Sequence, residues 1–134
     1  MLIATLVRDA KATLCFAILA WIPSWCLGQA AECAASGSLL AQCAASWDNV
    51  FRNGNRLVDP GQAFEAGYFE GYVMGVSDAT LHRSWCPALP YTNDQIDAIV
   101  ARHLRNHPEA WQQRPKDLVA TALGAAYPCP ISAR

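Results

Sequence analysis

Two pairs of side chains in this chain have a spacing that could support chemistry. Asp78 and His82 are four residues apart in a segment patterned as a helix, so they could meet on one face as an ion pair or an acid–base dyad. A catalytic dyad also needs a nucleophile, and the nearest hydroxyls, Ser77 and Ser84, lie in no nucleophile-elbow motif. We therefore expect a salt bridge at the helix end and no catalytic residue.

His103 and His107 form the second pair, with the spacing that holds zinc in HExxH helices. The residues between them, Leu104-Arg105-Asn106, supply no glutamate base and place a cation between the two imidazoles. Pro108 follows directly and disrupts the helix end that would carry His107. The pattern favours a solvated helix C-terminus over a metal site, and it indicates no cofactor.

The N-terminal segment has the layout of a secretory signal peptide. Arg8 and Lys11 supply positive charge, residues 13–22 form a short apolar core, and Gly28-Gln29-Ala30 is a small-residue cleavage site. The apolar run is too short to span a bilayer. We expect residues 1–30 to be removed and residues 31–134 to form one exported domain without a membrane segment; a retained N-terminal anchor is the less favoured alternative.

The charge of the chain argues against a nucleic-acid partner. The formal net charge is −1, and acidic residues slightly outnumber basic ones after the predicted cleavage site. No run of basic residues occurs that could follow a phosphate backbone.

Four cysteines remain beyond the predicted cleavage site: Cys33, Cys43, Cys86 and Cys129. An even number in a small exported domain implies disulfides, and four cysteines allow three connectivities. No CxxC pair occurs, which argues against both zinc and a thioredoxin-like redox role. We favour the pairs Cys86–Cys129 and Cys33–Cys43. In the loop-entropy model the first would stabilise the domain by about 4 kcal/mol and the second by about 3 kcal/mol.

Capping residues, proline positions and apolar periodicity predict four helices and an all-α fold. No sustained apolar alternation typical of strands is present. Residues 109–114 are expected to form a loop or a single turn. The helices are expected from Ser36 or Ser38 to a loop at residues 52–55, from Asp59-Pro60 to about His82, from the Thr92/Gln95 capping box to about Asn106, and from Pro115 to Pro128. The expected architecture is a compact, disulfide-stapled bundle of about four helices.

The second predicted helix contains three glycines at steps of four, Gly67, Gly71 and Gly75. A glycine inside a helix costs about 1 kcal/mol relative to alanine, so three on one face need a compensating contact. Close approach of another backbone would supply it, with Tyr72 in a ridge beside the groove. We expect this face to pack within the monomer; a homodimer seam is the alternative.

The order of these elements resembles a known family, the Rap/Tai immunity proteins of type VI secretion systems, over about residues 36–129. The elements are a Leu-Leu-x-x-Cys helix (Leu39 to Cys43), a Gly-x-x-x-Gly-Tyr-x-x-Gly-x-x-Asp-Ala helix (Gly67 to Ala79), Cys86-Pro87, the Thr-capped Gln95 helix, His107-Pro108-Glu109, the Leu118…Ala122-Leu123 helix and Pro128-Cys129. One position departs from the family pattern: Phe69 stands where members commonly have a cysteine. The departure leaves the partner of Cys43 open, with Cys33 as its expected replacement.

The resemblance implies a periplasmic protein that is not an enzyme. It implies binding and inhibition of a peptidoglycan-cleaving amidase effector injected by type VI secretion, which protects the producer and its siblings. Members act stoichiometrically by blocking the effector's active-site cleft, and they tend to be disulfide-bonded and dimeric. An exported helical adaptor with a different periplasmic partner is the alternative function, and a small secreted hydrolase would need a nucleophile–base pair that the chain does not show.

Two short loops supply the candidate effector-binding residues, because a few anchor residues usually dominate such complexes. Trp111 could equally pack against the core or serve as an exposed anchor, whereas Trp85 lies beside a cysteine expected to be bridged and is expected to be more buried. The first set is Glu109, Trp111, Gln112 and Arg114, and the second is Arg83, Ser84 and Trp85.

Overall fold

Helices dominate the computed structural model, which describes residues 33–54 and 59–130. The α-helices are α1 (Gly37–Trp47), α2 (Pro60–Thr80), α3 (Asn93–Asn106) and α4 (Pro115–Ala126). A π-helical turn, Asp48–Arg52, extends α1, and a 3-10 turn, Pro108–Gln112, connects α3 to α4. No strand occurs in these two described ranges. The predicted all-α bundle of four helices is confirmed, and the predicted signal peptide lies outside the described residues.

The helices begin where the local capping signals predict. The Ser36 hydroxyl accepts a hydrogen bond from a backbone N–H of α1 at 3.2 Å, and the Asp59 carboxylate accepts two from the first turn of α2 at 2.8 and 3.1 Å. Thr92 and Gln95 form the reciprocal capping box of α3. Each cap satisfies N–H groups that have no partner within the helix, so these starts depend on local sequence alone.

The four helices enclose one hydrophobic core, and each helix contacts the other three. The inner face of α2 contributes Ala66, Phe69 and Val73, all fully buried. Trp47 of α1 packs against Phe69 with ring centroids 6.0 Å apart. Full burial of a large apolar side chain stabilises the fold by roughly 1.5–3 kcal/mol, so this central face accounts for much of the stability of the bundle.

Two disulfides anchor segments of chain that lie outside the helices. Cys33 is bonded to Cys43 of α1, and Cys86, which follows α2, is bonded to Cys129, which follows α4. The backbone N–H of Cys86 also donates to the carbonyl oxygen of Tyr127 at 2.8 Å. These are the two pairings that the sequence analysis favoured, and Cys33 takes the place left open by Phe69.

The predicted packing of the glycine stripe within the monomer is wrong. Gly67, Gly71 and Gly75 lie on the solvent-exposed face of α2, and a Cβ atom added at any of them would meet nothing within 4 Å. The apolar residues of α2 lie on the opposite side of the helix and take the core contacts. Tyr72, at the edge between the two faces, is partly buried and packs against the core.

Close backbone approach occurs instead at two other glycines. A Cβ atom at Gly37, the first residue of α1, would lie 2.5 Å from the carbonyl oxygen of Trp111 and 2.6 Å from Cδ1 of Leu118. A Cβ atom at Gly124, near the end of α4, would lie 2.8 Å from the carbonyl oxygen of Ser84. Real Cβ atoms do not approach backbone oxygens this closely, so these two positions require glycine.

The predicted salt bridge between Asp78 and His82 is also absent. Helix α2 ends at Thr80, and His82 lies beyond it with a φ of 58°. No ion pair joins the two residues in the part of the chain that the structure describes. The four-residue spacing brings side chains together only while the helix continues, and here the chain leaves it two residues too early.

Candidate binding surface

Trp111 projects from the 3-10 turn between α3 and α4 and is held in a fixed position. Its indole N–H donates to the carbonyl oxygen of Leu104 at 2.9 Å, while the side chain stays partly exposed. On the same turn, His107 Nδ1 and Glu109 Oε1 are 2.9 Å apart. The backbone of the turn rests on Gly37, as described above. Trp111 is therefore a partly exposed aromatic side chain that packs against the core and is positioned by a side-chain hydrogen bond.

A groove of about 230 Å³ lies on one side of Trp111, between α1 and α3. We call it the alanine groove because four alanine side chains make its floor and walls. The space is open because alanine side chains fill little of the volume between the two helices. The residues that line it are Ala41, Ala44, Ala45, Asp48, Ala101, Arg105, Pro108 and Trp111.

A second groove of about 220 Å³ lies on the other side of Trp111. It is formed by residues 35–38 at the start of α1 and by residues 112–115 at the start of α4. The Arg114 guanidinium donates to the Asp117 carboxylate at 2.6 Å, which holds this side chain beside the groove. The structure thus brings Trp111, Gln112 and Arg114 together around one ridge, with Glu109 exposed on the same turn.

Three arginines, Arg52, Arg102 and Arg105, line a depression of about 160 Å³ next to the alanine groove. Asp48 accepts hydrogen bonds from Arg52, at 3.1 Å, and from Arg105. Arg102 is exposed and forms no ion pair with any described residue. Asp48 therefore pairs with two of the three arginines, and this surface carries an excess of positive charge.

The second predicted set of residues does not form a comparable surface. Trp85 is 0% exposed, and its indole N–H donates to the carbonyl oxygen of Ser77 at 3.1 Å. The rings of Tyr91 and Tyr127 pack on it with centroids 5.1 and 5.9 Å away. Trp85 is a core residue and cannot contact a partner in this conformation, so it is removed from the binding candidates.

Arg83 and Ser84 are exposed, but they lie far from Trp111. The Ser84 carbonyl is against Gly124 near the end of α4, whereas the Trp111 turn directly precedes Pro115 at its start. A helix of this length is about 18 Å long. The two predicted sets therefore belong to opposite ends of α4 and form two separate surfaces.

The histidine pair lies at the end of α3 and does not resemble a metal site. The rings of His103 and His107 have centroids 4.6 Å apart. Burial lowers the pKa of His103, and the neighbouring His107 lowers it further. The hydrogen bond between His107 and Glu109 lowers the pKa of Glu109. Among residues 33–54 and 59–130, no group of three or more His, Cys, Asp or Glu side chains could hold a metal ion.

Asp97 of α3 is a titratable residue that the sequence analysis missed. It is fully buried, and neither carboxylate oxygen has a hydrogen-bond partner. Burial raises the pKa of Asp97 to about 7, and the charges of Glu70 and Asp94 raise it in the same direction. The sequence offered one signal of this burial. Asp97 lies three and four residues before the buried residues Val100 and Ala101, and residues at these spacings share a helix face.

The family model for Rap1a immunity proteins matches residues 35–129 and so includes all four helices. The chain belongs to the Rap1a immunity protein family. No curated protein and no solved structure matches the sequence. Membership in the Rap1a immunity family supports an immunity role through binding of a cognate effector.

Two further observations concern where this Rap1a-family protein works. Its two disulfides are consistent with an exported protein, because disulfides persist in oxidising compartments. Of the helices in the described ranges, none combines the length and the apolar character that crossing a bilayer requires.

Proposed function

We propose that this protein is a periplasmic immunity protein that binds and inhibits a peptidoglycan-cleaving amidase effector of type VI secretion. The match to the Rap1a immunity family across α1–α4 carries the proposal. The signal-peptide pattern of residues 1–30 and the two disulfides support export to the periplasm. In this role the protein protects the producing cell and its siblings, and it acts by binding rather than by catalysis.

The inhibitory contact is assigned to the ridge formed by the Trp111 turn. A partly exposed tryptophan beside polar side chains is typical of the anchors that dominate protein–protein affinity. The hydrogen bond from Trp111 to Leu104 and the seating of the turn on Gly37 hold the ridge in place before binding. Because little conformational entropy is then lost on association, a small contact can bind tightly. Glu109, Gln112 and Arg114 supply the polar contacts around it.

A homodimer through the outer face of α2 is a further part of the proposal. The cost of three glycines in one helix is not offset by packing within the described residues, and an approaching helix of a second copy would offset it. Phe64 on the same helix is 51% exposed and stacks on Tyr68 with ring centroids 6.5 Å apart. Light scattering of the purified protein tests this, and a monomeric mass at micromolar concentration would exclude the seam.

The decisive experiment tests whether the neighbouring gene encodes an amidase effector that this protein binds. The mature protein is purified from its native periplasm together with the neighbouring gene product, and amidase activity on peptidoglycan is titrated with increasing amounts of the immunity protein. We expect complete inhibition near one equivalent, and we expect cells that lack the protein to be killed by their own kin. Undiminished amidase activity in the presence of excess protein would refute the proposal. Binding to another periplasmic protein would then favour the adaptor function.

A further inference from the structure

The alanine groove has the shape of a receptor for one apolar side chain. Its walls come from α1 and α3, with Trp111 at one end and Ala45 exposed at its edge. Its volume of about 230 Å³ exceeds that of a single large side chain. The groove is open in this structure, and the hydrogen bond from Trp111 to Leu104 fixes the indole that forms part of its wall.

The charge beside the groove indicates what accompanies that side chain. Arg52, Arg102 and Arg105 line the adjoining depression, and among the described residues Asp48 is the only acidic one that lines either of the two cavities. Asp48 already accepts hydrogen bonds from two of the arginines, so the guanidinium of Arg102 is left for a ligand. A guanidinium matches a carboxylate in a bidentate geometry.

We infer that the alanine groove and the three arginines form one docking site for an effector segment in which an apolar side chain is followed by carboxylates. The inference rests on the proposed function and names the part of the effector that this surface selects. Charge complementarity carries it: Arg52 and Arg105 share the one carboxylate of Asp48, and Arg102 has no ion-pair partner among the described residues, so the site is locally positive and attracts carboxylates. Nucleic acid is not the occupant, because three arginines without a basic run give too small a phosphate-binding surface.

The two halves of the site act on different steps of binding. The arginines attract the acidic segment before contact, so they govern the association rate and its dependence on salt. The groove holds the apolar side chain after contact, so it governs the dissociation rate.

The test measures association and dissociation rates of the purified effector on immobilised immunity protein. Arg102→Glu reverses an exposed charge that has no internal partner, and it should slow association about tenfold and weaken its salt dependence. Ala45→Leu fills the groove from an exposed position and should speed dissociation about tenfold. Ala88→Leu, in the exposed loop before α3, is the matched control for added bulk and should match the unmodified protein. Arg83→Glu tests the other predicted set at the far end of α4, and it should bind like the unmodified protein if the contact lies at the groove. Unchanged circular dichroism and melting temperature verify that each variant is folded.

The outcomes separate this inference from the proposed function. If the unmodified protein does not bind the effector, both fail. If it binds and inhibits, but Arg102→Glu and Ala45→Leu do so equally well, the docking site is refuted and the proposed function stands. Weakening by Arg83→Glu alone would refute the site as well, and it would place the contact at the Ser84 loop.

Discussion

The two ends of helix α4 contain the same kinds of contact and yet differ in how far they are exposed. At each end an indole N–H donates to a backbone carbonyl, from Trp111 to Leu104 at the start and from Trp85 to Ser77 at the end. At each end a loop carbonyl also lies against a glycine, Gly37 in one case and Gly124 in the other. These shared contacts join the loops to the bundle, and they do not decide which end is exposed.

What differs is the cover over each tryptophan. The rings of Tyr91 and Tyr127 pack on Trp85, which is fully buried. Around Trp111 the neighbours are alanines and the small residues at the start of α1, which leave a groove on each side. We call the end of α4 near Trp85 the closed end and the end near Trp111 the open end. We conclude that the size of the neighbouring side chains, rather than the tryptophan or its hydrogen bond, makes one end buried and the other partly exposed.

The largest expected effects come from truncating the two tryptophans. Trp85→Ala should lower the free energy of unfolding by about 5 kcal/mol, because it leaves a cavity in the core, whereas Trp111→Ala should cost about 1 kcal/mol. Binding to the effector should show the reverse order, with Trp111→Ala weakening affinity well beyond about tenfold. Urea unfolding and titration calorimetry measure the two quantities. Equal losses of stability would remove the distinction between the ends, and unchanged affinity would exclude Trp111 as an anchor.

The disulfide at the closed end should also contribute more to stability than the Cys33–Cys43 disulfide, but the difference should be smaller than that between the two tryptophans. Replacing both Cys86 and Cys129 by serine should cost about 4 kcal/mol, and replacing Cys33 and Cys43 should cost about 3 kcal/mol, because the first pair closes the longer loop. Urea unfolding of the two double variants, with the reduced unmodified protein as control, provides the comparison. A larger loss for the Cys33–Cys43 pair would contradict the ordering by loop length.

Alanine at the close-contact glycines tests both ends at once. Gly37→Ala and Gly124→Ala should each lower stability by about 2 kcal/mol, because the new methyl group meets a backbone oxygen. Gly71→Ala on the open face of α2 is the matched control and should raise monomer stability by up to about 1 kcal/mol. Thermal melts suffice for this series. A destabilising Gly71→Ala would indicate that the exposed stripe is covered in solution.

The pH dependence of stability should depend on Asp97, which lies one turn inside the helix that begins at the closed end. Its pKa rises from 3.8 in the unfolded reference to about 7 in the folded protein, so the folded state binds the proton more tightly. The stabilisation is therefore complete below about pH 4 and is lost as the pH rises to about 7, by at most about 1.4 kcal/mol per pH unit.

Asp97→Asn should remove that slope and stabilise the protein most at neutral and higher pH. The exposed Asp94→Asn serves as control, and the difference between the two pH profiles of unfolding is the measurement. Identical profiles for the two variants would show that Asp97 has a partner in solution.

Local signals account for the parts of the fold that sequence reasoning predicted. Ser36, Asp59 and Thr92 cap their helices through hydrogen bonds to residues two or three positions away, so the chain carries these starts without its tertiary structure. The glycine stripe was misassigned for the opposite reason. Its spacing correctly predicts one helix face, but which face meets the core depends on residues distant in sequence.

The candidate site was predicted only in part. The segment containing Trp111 was identified from its polarity and its position between helices, and Trp85 entered the same list although the structure buries it completely. The alanine groove and the arginine cluster were missed, because each combines residues of α1 or its extension with residues of α3, and the two stretches lie about fifty positions apart in the chain.

The amino-acid sequence by itself determined the helices, their caps, the number of cysteines and the family, because these follow from interactions and patterns within a few turns of chain. Only the tertiary structure decided which tryptophan is buried, which glycines are touched and where the positive charge gathers. Those properties depend on the size and charge of side chains that become neighbours when α1, α3 and α4 pack together, and no local pattern encodes that proximity.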